Sequence, residues 1–130
     1  MPVKFSSSPD SGVLRPLLRF VAMTRPRVLL LEDNPAEATL AESALRFAGA
    51  EVVDSPERAV LAVLGRKALR DEARKLKIPA VAILSEPTDA ELEKARAAGV
   101  RGVYERPSTW QGYSALVARV LAEWAPARED

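Results

Sequence analysis

From Arg27 onward, short apolar runs alternate with amphipathic stretches. Val28–Leu31 is entirely apolar, as a parallel strand buried on both faces requires. Asn34-Pro35 then opens a helix: Asn caps it, Pro sits in its first turn and Glu37 complements its positive end. Leu40, Ala44, Phe47 and Ala48 recur on one face of that helix, with Glu37, Glu42, Ser43 and Arg46 mostly opposite. Gly49 supplies a left-handed stop. Glu51–Val53 reads as a brief strand and Ala80–Leu84 as a second fully apolar one. Thr88 and Glu91 have capping-box spacing for a helix that stops at Gly99. Val100–Tyr104 predicts the last strand. Ser108 and Gln111 suggest a second capping box, and Tyr113, Val117, Val120, Leu121 and Trp124 form one stripe of the last helix.

The middle of the chain supports two readings. Ser55-Pro56-Glu57 is a strong helix start, and Leu61, Gly65, Leu69, Ala73 and Leu76 recur every three or four residues. Residues 56–77 then form one long helix with a glycine inside. Alternatively, Ala59–Leu64 is itself a strand. Only Asp54–Arg58 would then link it to the preceding strand, whereas a parallel crossover ordinarily takes a dozen or more residues. This favours the long helix and a sheet of four strands, with Ala80–Leu84 beside Val28–Leu31. Either way, strands alternating with helices predict a parallel sheet with helices on both faces.

At 130 residues the chain holds one domain, assigned to residues 26–126. The first 25 residues carry Ser6-Ser7-Ser8-Pro9, Gly12 and Pro16, lack a sustained period and hold three net positive charges. They read as a disordered tail or an over-extended gene start with Met23 as the first residue; the alternative is a short basic amphipathic helix at Val13–Ala22. The net charge of +1 gives no field that favours nucleic acid or a membrane surface. The chain has neither cysteine nor histidine. Thiol catalysis and a Ser-His-Asp triad are excluded, and an ordinary zinc enzyme lacks its usual ligands. No apolar run approaches the roughly 20 residues a membrane span needs.

Val28-Leu29-Leu30-Leu31-Glu32-Asp33-Asn34-Pro35 resembles the opening of a response-regulator receiver domain, where a buried strand ends in an acidic pair. The resemblance continues through Ala48-Gly49-Ala50-Glu51-Val52, Ser55-Pro56-Glu57-Arg58-Ala59 and Ile78-Pro79-Ala80-Val81-Ala82-Ile83-Leu84-Ser85. It closes with Ala97-Ala98-Gly99-Val100 and with Arg106-Pro107, where the family has Lys-Pro. It implies a flavodoxin-like three-layer α/β sandwich with its site at the carboxyl ends of the strands. One departure stands out. The family's third strand ends in the phosphate-accepting aspartate, and nothing between Arg58 and Ile78 matches it, so the expected fold lacks that third strand.

The resemblance marks Glu32, Asp33, Ser85 and Arg106 as a residual acidic pocket. In the family the acidic pair holds Mg²⁺ with the phosphorylated aspartate; here Glu32 and Asp33 could supply two oxygens to a weakly held ion, with no cofactor required. Their plainer role is to favour the helix start at Asn34. Ser85 would bond a phosphoryl oxygen, or simply satisfy local backbone before Pro87. Arg106 keeps the family lysine's charge without its compact ammonium, and would pair with Glu32 or Asp33, or be solvated. The resulting expectation is a cytoplasmic, non-enzymatic, pseudo-receiver module of signal transduction. It would dock a protein partner or a second copy through its last strand and last two helices, with Arg101, Tyr104 and Trp110 as anchors. The alternative is an atypical receiver of a two-component phosphorelay, phosphorylated at a non-standard carboxylate such as Asp54. A small-molecule or nucleotide binder is less well supported, since no glycine-rich phosphate loop follows any strand.

Overall fold

The computed structural model describes residues 25–125. The two accounts of the N-terminal extension therefore fall outside the described residues. In chain order the elements are β1 (Arg27–Leu31), α1 (Pro35–Phe47), β2 (Glu51–Val53), β3 (Leu61–Leu64), α2 (Arg66–Asp71), β4 (Ala80–Leu84), α3 (Asp89–Ala97), β5 (Gly102–Glu105) and α4 (Trp110–Trp124). Single 3-10 turns stand at Pro56–Arg58 and Ala73–Lys75. The five strands are all parallel and lie in the order β2-β1-β3-β4-β5. This is the three-layer, flavodoxin-like α/β sandwich expected.

The expected four-stranded sheet and the helix over 56–77 are both wrong. Leu61–Leu64 is the central strand, buried throughout, and separates β1 from β4. Its side chains alternate between two cores. Leu61 and Val63 join Val28, Val81 and Ile83 under α1 and α4. Ala62 and Leu64 join Leu29, Ala82 and Leu84 under α2 and α3. The third strand is thus present, and between β2 and β3 stands a single 3-10 turn where a parallel crossover usually carries a helix.

The register explains how so short a crossover suffices. β2 ends at Val53, level with Leu29 of β1, and β3 begins at Leu61, level with Val28. The chain has barely advanced along the sheet when β2 stops, so no helix is needed to bring it back. It has only to pass one strand, a lateral span of about 10 Å. Residues 54–60 reach that easily, since an extended chain covers about 3.3 Å per residue. The amide of Val60 then bonds the Arg27 carbonyl at 2.8 Å, and Ala59 is buried in the core under α2 and α3.

The local signals mostly hold. Asn34 caps α1, its Oδ1 accepting the Glu37 amide at 3.0 Å. Thr88 and Glu91 form both arms of the capping box that starts α3. Gly49 and Gly99 take positive φ at the ends of α1 and α3. Two details differ. α4 is capped by Thr109, not Ser108, its hydroxyl accepting the Gly112 amide at 3.0 Å. Phe47, assigned to the buried stripe of α1, is 74% exposed; Ala44 of that stripe is buried, joined by Ala41 and Leu45. The stripe of α4 is buried as expected at Tyr113, Val117, Val120 and Leu121, joined by Leu116.

Candidate functional site

The C-terminal ends of the parallel strands bring the sequence-selected residues to one edge of the sheet. Asp54 follows β2, Glu32 and Asp33 follow β1, Gly65 follows β3, Ser85 follows β4 and Arg106 follows β5. The centre of this row is glycine. The Gly65 amide bonds the Leu31 carbonyl at 2.8 Å, which pins it beside the acidic pair. A Cβ on Gly65 would meet the carboxylate carbon of Glu32 at 2.6 Å, so the Glu32 side chain fills the space that any side chain at position 65 would need. The other Glu32 oxygen accepts the Asn34 amide at 3.1 Å.

Beside this contact lies a shallow cleft of about 270 Å³. Glu32, Asp33, Lys67, Asp71 and Glu72 form its rim over Leu30, Leu31 and Ala68. Lys67 and Asp71 pair with each other at 3.3 Å on the first turns of α2. Among the described residues no group of three or more carboxylates converges on a point where a metal ion could sit. Glu32 and Asp33 contribute two, and one Glu32 oxygen is already bonded to backbone. A Mg²⁺ ion bound here would therefore complete its shell mostly with water, which is how this ion is held when few carboxylates reach it.

Arg106 does not pair with Glu32 or Asp33. Its Nε stands 2.7 Å from Glu37 Oε1 on the first turn of α1, and its guanidinium lies 5.5 Å from the centre of the Tyr113 ring. The N–H is not aimed at the carboxylate oxygen; the contact is an ion pair without a hydrogen bond, and Nε has no other partner among the described residues. Strand order explains the choice. β5 lies three strands from β1, about 14 Å across the sheet, whereas α1 packs against α4 just above Arg106. Burial beneath this pair pushes the Tyr113 hydroxyl up to about 12, with the Glu37 charge adding to the effect.

An arginine that the sequence reading did not single out ties the site together. Arg66, the first residue of α2, reaches across to α3. Its Nε and Nη2 engage the two oxygens of Glu91, and Nη2 also donates to the Ser85 carbonyl at 2.8 Å. Glu91 meanwhile accepts the Thr88 amide at 2.9 Å. Hydrogen bonding to Arg66 above all, then to the Thr88 amide, holds the Glu91 carboxyl at about 2. Between these anchors Glu86 takes a positive φ of 49°, uncommon for a residue with a side chain. A separation of 25 positions between Arg66 and Glu91 puts this pair beyond any local sequence pattern.

The three expected anchors differ in their surroundings. Arg101 is exposed just before β5. Tyr104 is half-buried, its hydroxyl accepting from Trp124 Nε1 at 2.7 Å and donating to Glu123 at 3.2 Å. Trp110 is 42% exposed and stands edge-to-face with Phe47 of α1, ring centres 6.0 Å apart.

No family sequence model matches the chain. No curated protein matches it either. Solved structures do. The phosphorylated cyanobacterial phytochrome response regulator RcpA superposes with a TM-score of 0.60 at 18% identity, over 78% of this chain and 94% of its own. HP1043, an orphan response regulator of H. pylori, gives 0.59 at 24% identity, over 78% and 99%. RPA3017, a response regulator in red light signaling of R. palustris, gives 0.62 at 14% identity, over 79% and 96%. The chain from β1 to α4 has the fold of the response-regulator receiver domains.

Proposed function

We propose that this chain is a degenerate receiver domain that serves signal transduction as a phosphorylation-independent protein-interaction module. The observation that carries the reading is Gly65. It directly follows the central strand, where the resemblance calls for the phosphate-accepting aspartate, and the Glu32 carboxylate occupies the space beside it. Asp71 does not substitute for the acceptor: it lies on α2 in an exposed pair with Lys67. Asp54 projects into solvent beside Arg58, without the fixed position near a metal and a phosphoryl donor that transfer needs. In this reading no enzymatic activity and no cofactor are required, and Mg²⁺ binds Glu32 and Asp33 only weakly. Neither nucleic acid nor a membrane is a partner. The chain acts in the cytoplasm; among the described residues no helix is long and apolar enough to cross a membrane.

The partner, a different protein or a second copy, docks on α3, β5 and α4. Arg101 and Tyr104 serve on the β5 side and Trp110 at the start of α4, with Glu93, Lys94 and Arg96 as a charged rim. Two measurements test the reading. Incubation with acetyl phosphate and Mg²⁺ followed by intact-mass analysis should show no added phosphoryl group. A phosphorylated species that vanishes in Asp54→Asn would instead establish the atypical phosphorelay receiver. Affinity capture from the source cells should lose a partner when Arg101→Glu or Trp110→Ala is used as bait. If both variants fold and recover every partner of the wild type, the docking surface is elsewhere.

A further inference from the structure

We infer that Arg66 acts as an internal ligand of the β4–α3 loop, holding residues 85–88 and the start of α3 in one preset position without any external ligand. The geometry has three parts. First, the root of the arginine is fixed: Gly65, just before it, is bonded to β1 through its amide, and Leu69 bonds back to Gly65 to start α2. Second, one guanidinium spans both ends of the loop. It donates to the Ser85 carbonyl, where β4 ends, and takes both oxygens of Glu91, the third residue of α3. Planar, two-pronged contact of this kind fixes orientation as well as distance. Third, the loop it spans has a reason to move if released. Glu86 sits at a positive φ, uncommon for a residue with a side chain.

The same Glu91 carboxylate also closes the capping box with Thr88. Arg66 and the helix cap therefore act on one group, so releasing the arginine loosens the first turn of α3. The outer face of that turn, with half-exposed Leu92, adjoins the surface assigned above to the partner. The consequence for docking rests on the proposed function, but the tether does not, and the experiment reads the tether alone.

Hydrogen–deuterium exchange on the full chain, compared among wild type, Arg66→Ala, Arg66→Lys and Glu91→Gln, provides the test. Arg66→Ala should speed exchange of the amides in residues 86–92 by about fivefold or more while leaving β1 and β3 unchanged, because opening is local. Glu91→Gln keeps an oxygen for the Thr88 amide but loses the charge, and should give an intermediate rise. Arg66→Lys should not restore protection, since one ammonium cannot reach both Glu91 oxygens and the Ser85 carbonyl. Equal exchange of residues 86–92 in wild type and Arg66→Ala would overturn the inference. So would a rise spread evenly over the sheet, which would make Arg66 a contributor to global stability. Failure of either kind with partner capture intact removes the tether and leaves the proposed function standing.

Discussion

Leu64→Ala and Leu61→Ala will each lower the free energy of unfolding by about 2–5 kcal/mol, the usual cost of emptying a fully buried leucine site. Both side chains are essentially inaccessible, yet they project into opposite cores, Leu61 under α1 and α4 and Leu64 under α2 and α3. Each is hemmed by neighbouring strands on both sides, which leaves little room for collapse around the void. Val60, one residue earlier and 49% exposed, supplies the contrast: Val60→Ala should change stability by less than about 0.5 kcal/mol. Val60 stands just outside the strand, so the contrast marks where burial begins. Val63 separates a strand from a helix: two positions from Leu61, it would lie on the opposite side of a helix but shares its face in a strand. Buried beside Leu61 in the same core, Val63→Ala should cost clearly more stability than Val60→Ala. For a domain of this size, about 1 kcal/mol corresponds to 4–8 °C in Tm, so the leucine variants should melt well over 8 °C lower. Urea unfolding in which Val63→Ala and Val60→Ala fall within experimental error of each other would contradict the assignment of β3.

The elements legible in the sequence were those with a local cause. Val28–Leu31 and Ala80–Leu84 are apolar without a break, and each is bounded by a residue that stops it. Asn34 and the Thr88–Glu91 box announce their helices because a cap is a contact between residues three apart. β3 was illegible for two physical reasons. A strand buried on both faces has no period of its own. Leu61, Gly65, Leu69, Ala73 and Leu76, which in fact belong to β3, the following turn, α2 and what succeeds it, happen to recur at helical spacing. The expectation of a long crossover then counted against the strand. That expectation assumes a preceding strand that runs the length of the sheet, and β2 has only three residues.

The site was legible in its composition but not in its pairing. The strand-end positions of Glu32, Asp33, Ser85 and Arg106 follow from the order of elements, and the fold places them on one edge as expected. Which of them touch depends on strand order. Once β3 and β4 separate β1 from β5, Arg106 cannot reach Glu32 and turns to Glu37. Gly65 escaped notice because its meaning depends on β3: inside a long helix it is a weak spot, whereas at the end of the central strand it stands directly against the Glu32 carboxylate. The Arg66–Glu91 bridge joins two helices that no periodicity relates, so only the folded chain brings it to light.

Gly65→Asp should convert this edge of the sheet into a site that answers to Mg²⁺. In the wild type two carboxylates stand at the end of β1, and the space beside them is taken by Glu32 itself. An aspartate at 65 forces the flexible Glu32 side chain to turn away and places a third carboxylate against the pair. Without metal the variant should be less stable than the wild type at neutral pH, since like charges crowded together disfavour the ionised forms that solvent would otherwise support. A hard divalent cation reverses that balance, because three carboxylates with water completing the shell exceed the one or two that Mg²⁺ commonly takes from protein. If the new site binds with a Kd of about 1 mM, then about 10 mM Mg²⁺ stabilises the folded state by roughly 1.4 kcal/mol, or about 5 °C or more in Tm. The wild type, with its weak pair, should shift by less than about 1 °C under the same conditions. Adding Asp33→Asn to Gly65→Asp should abolish most of the gain, which distinguishes binding at this edge from a general effect of salt; an equal concentration of charge supplied as NaCl serves as a further control. A wild type that is stabilised by Mg²⁺ as strongly as Gly65→Asp would mean that the glycine has not cost the site its metal. A Gly65→Asp variant indifferent to Mg²⁺ would mean that Glu32 does not yield the space, and that the residues at this edge are committed to the structure they now hold.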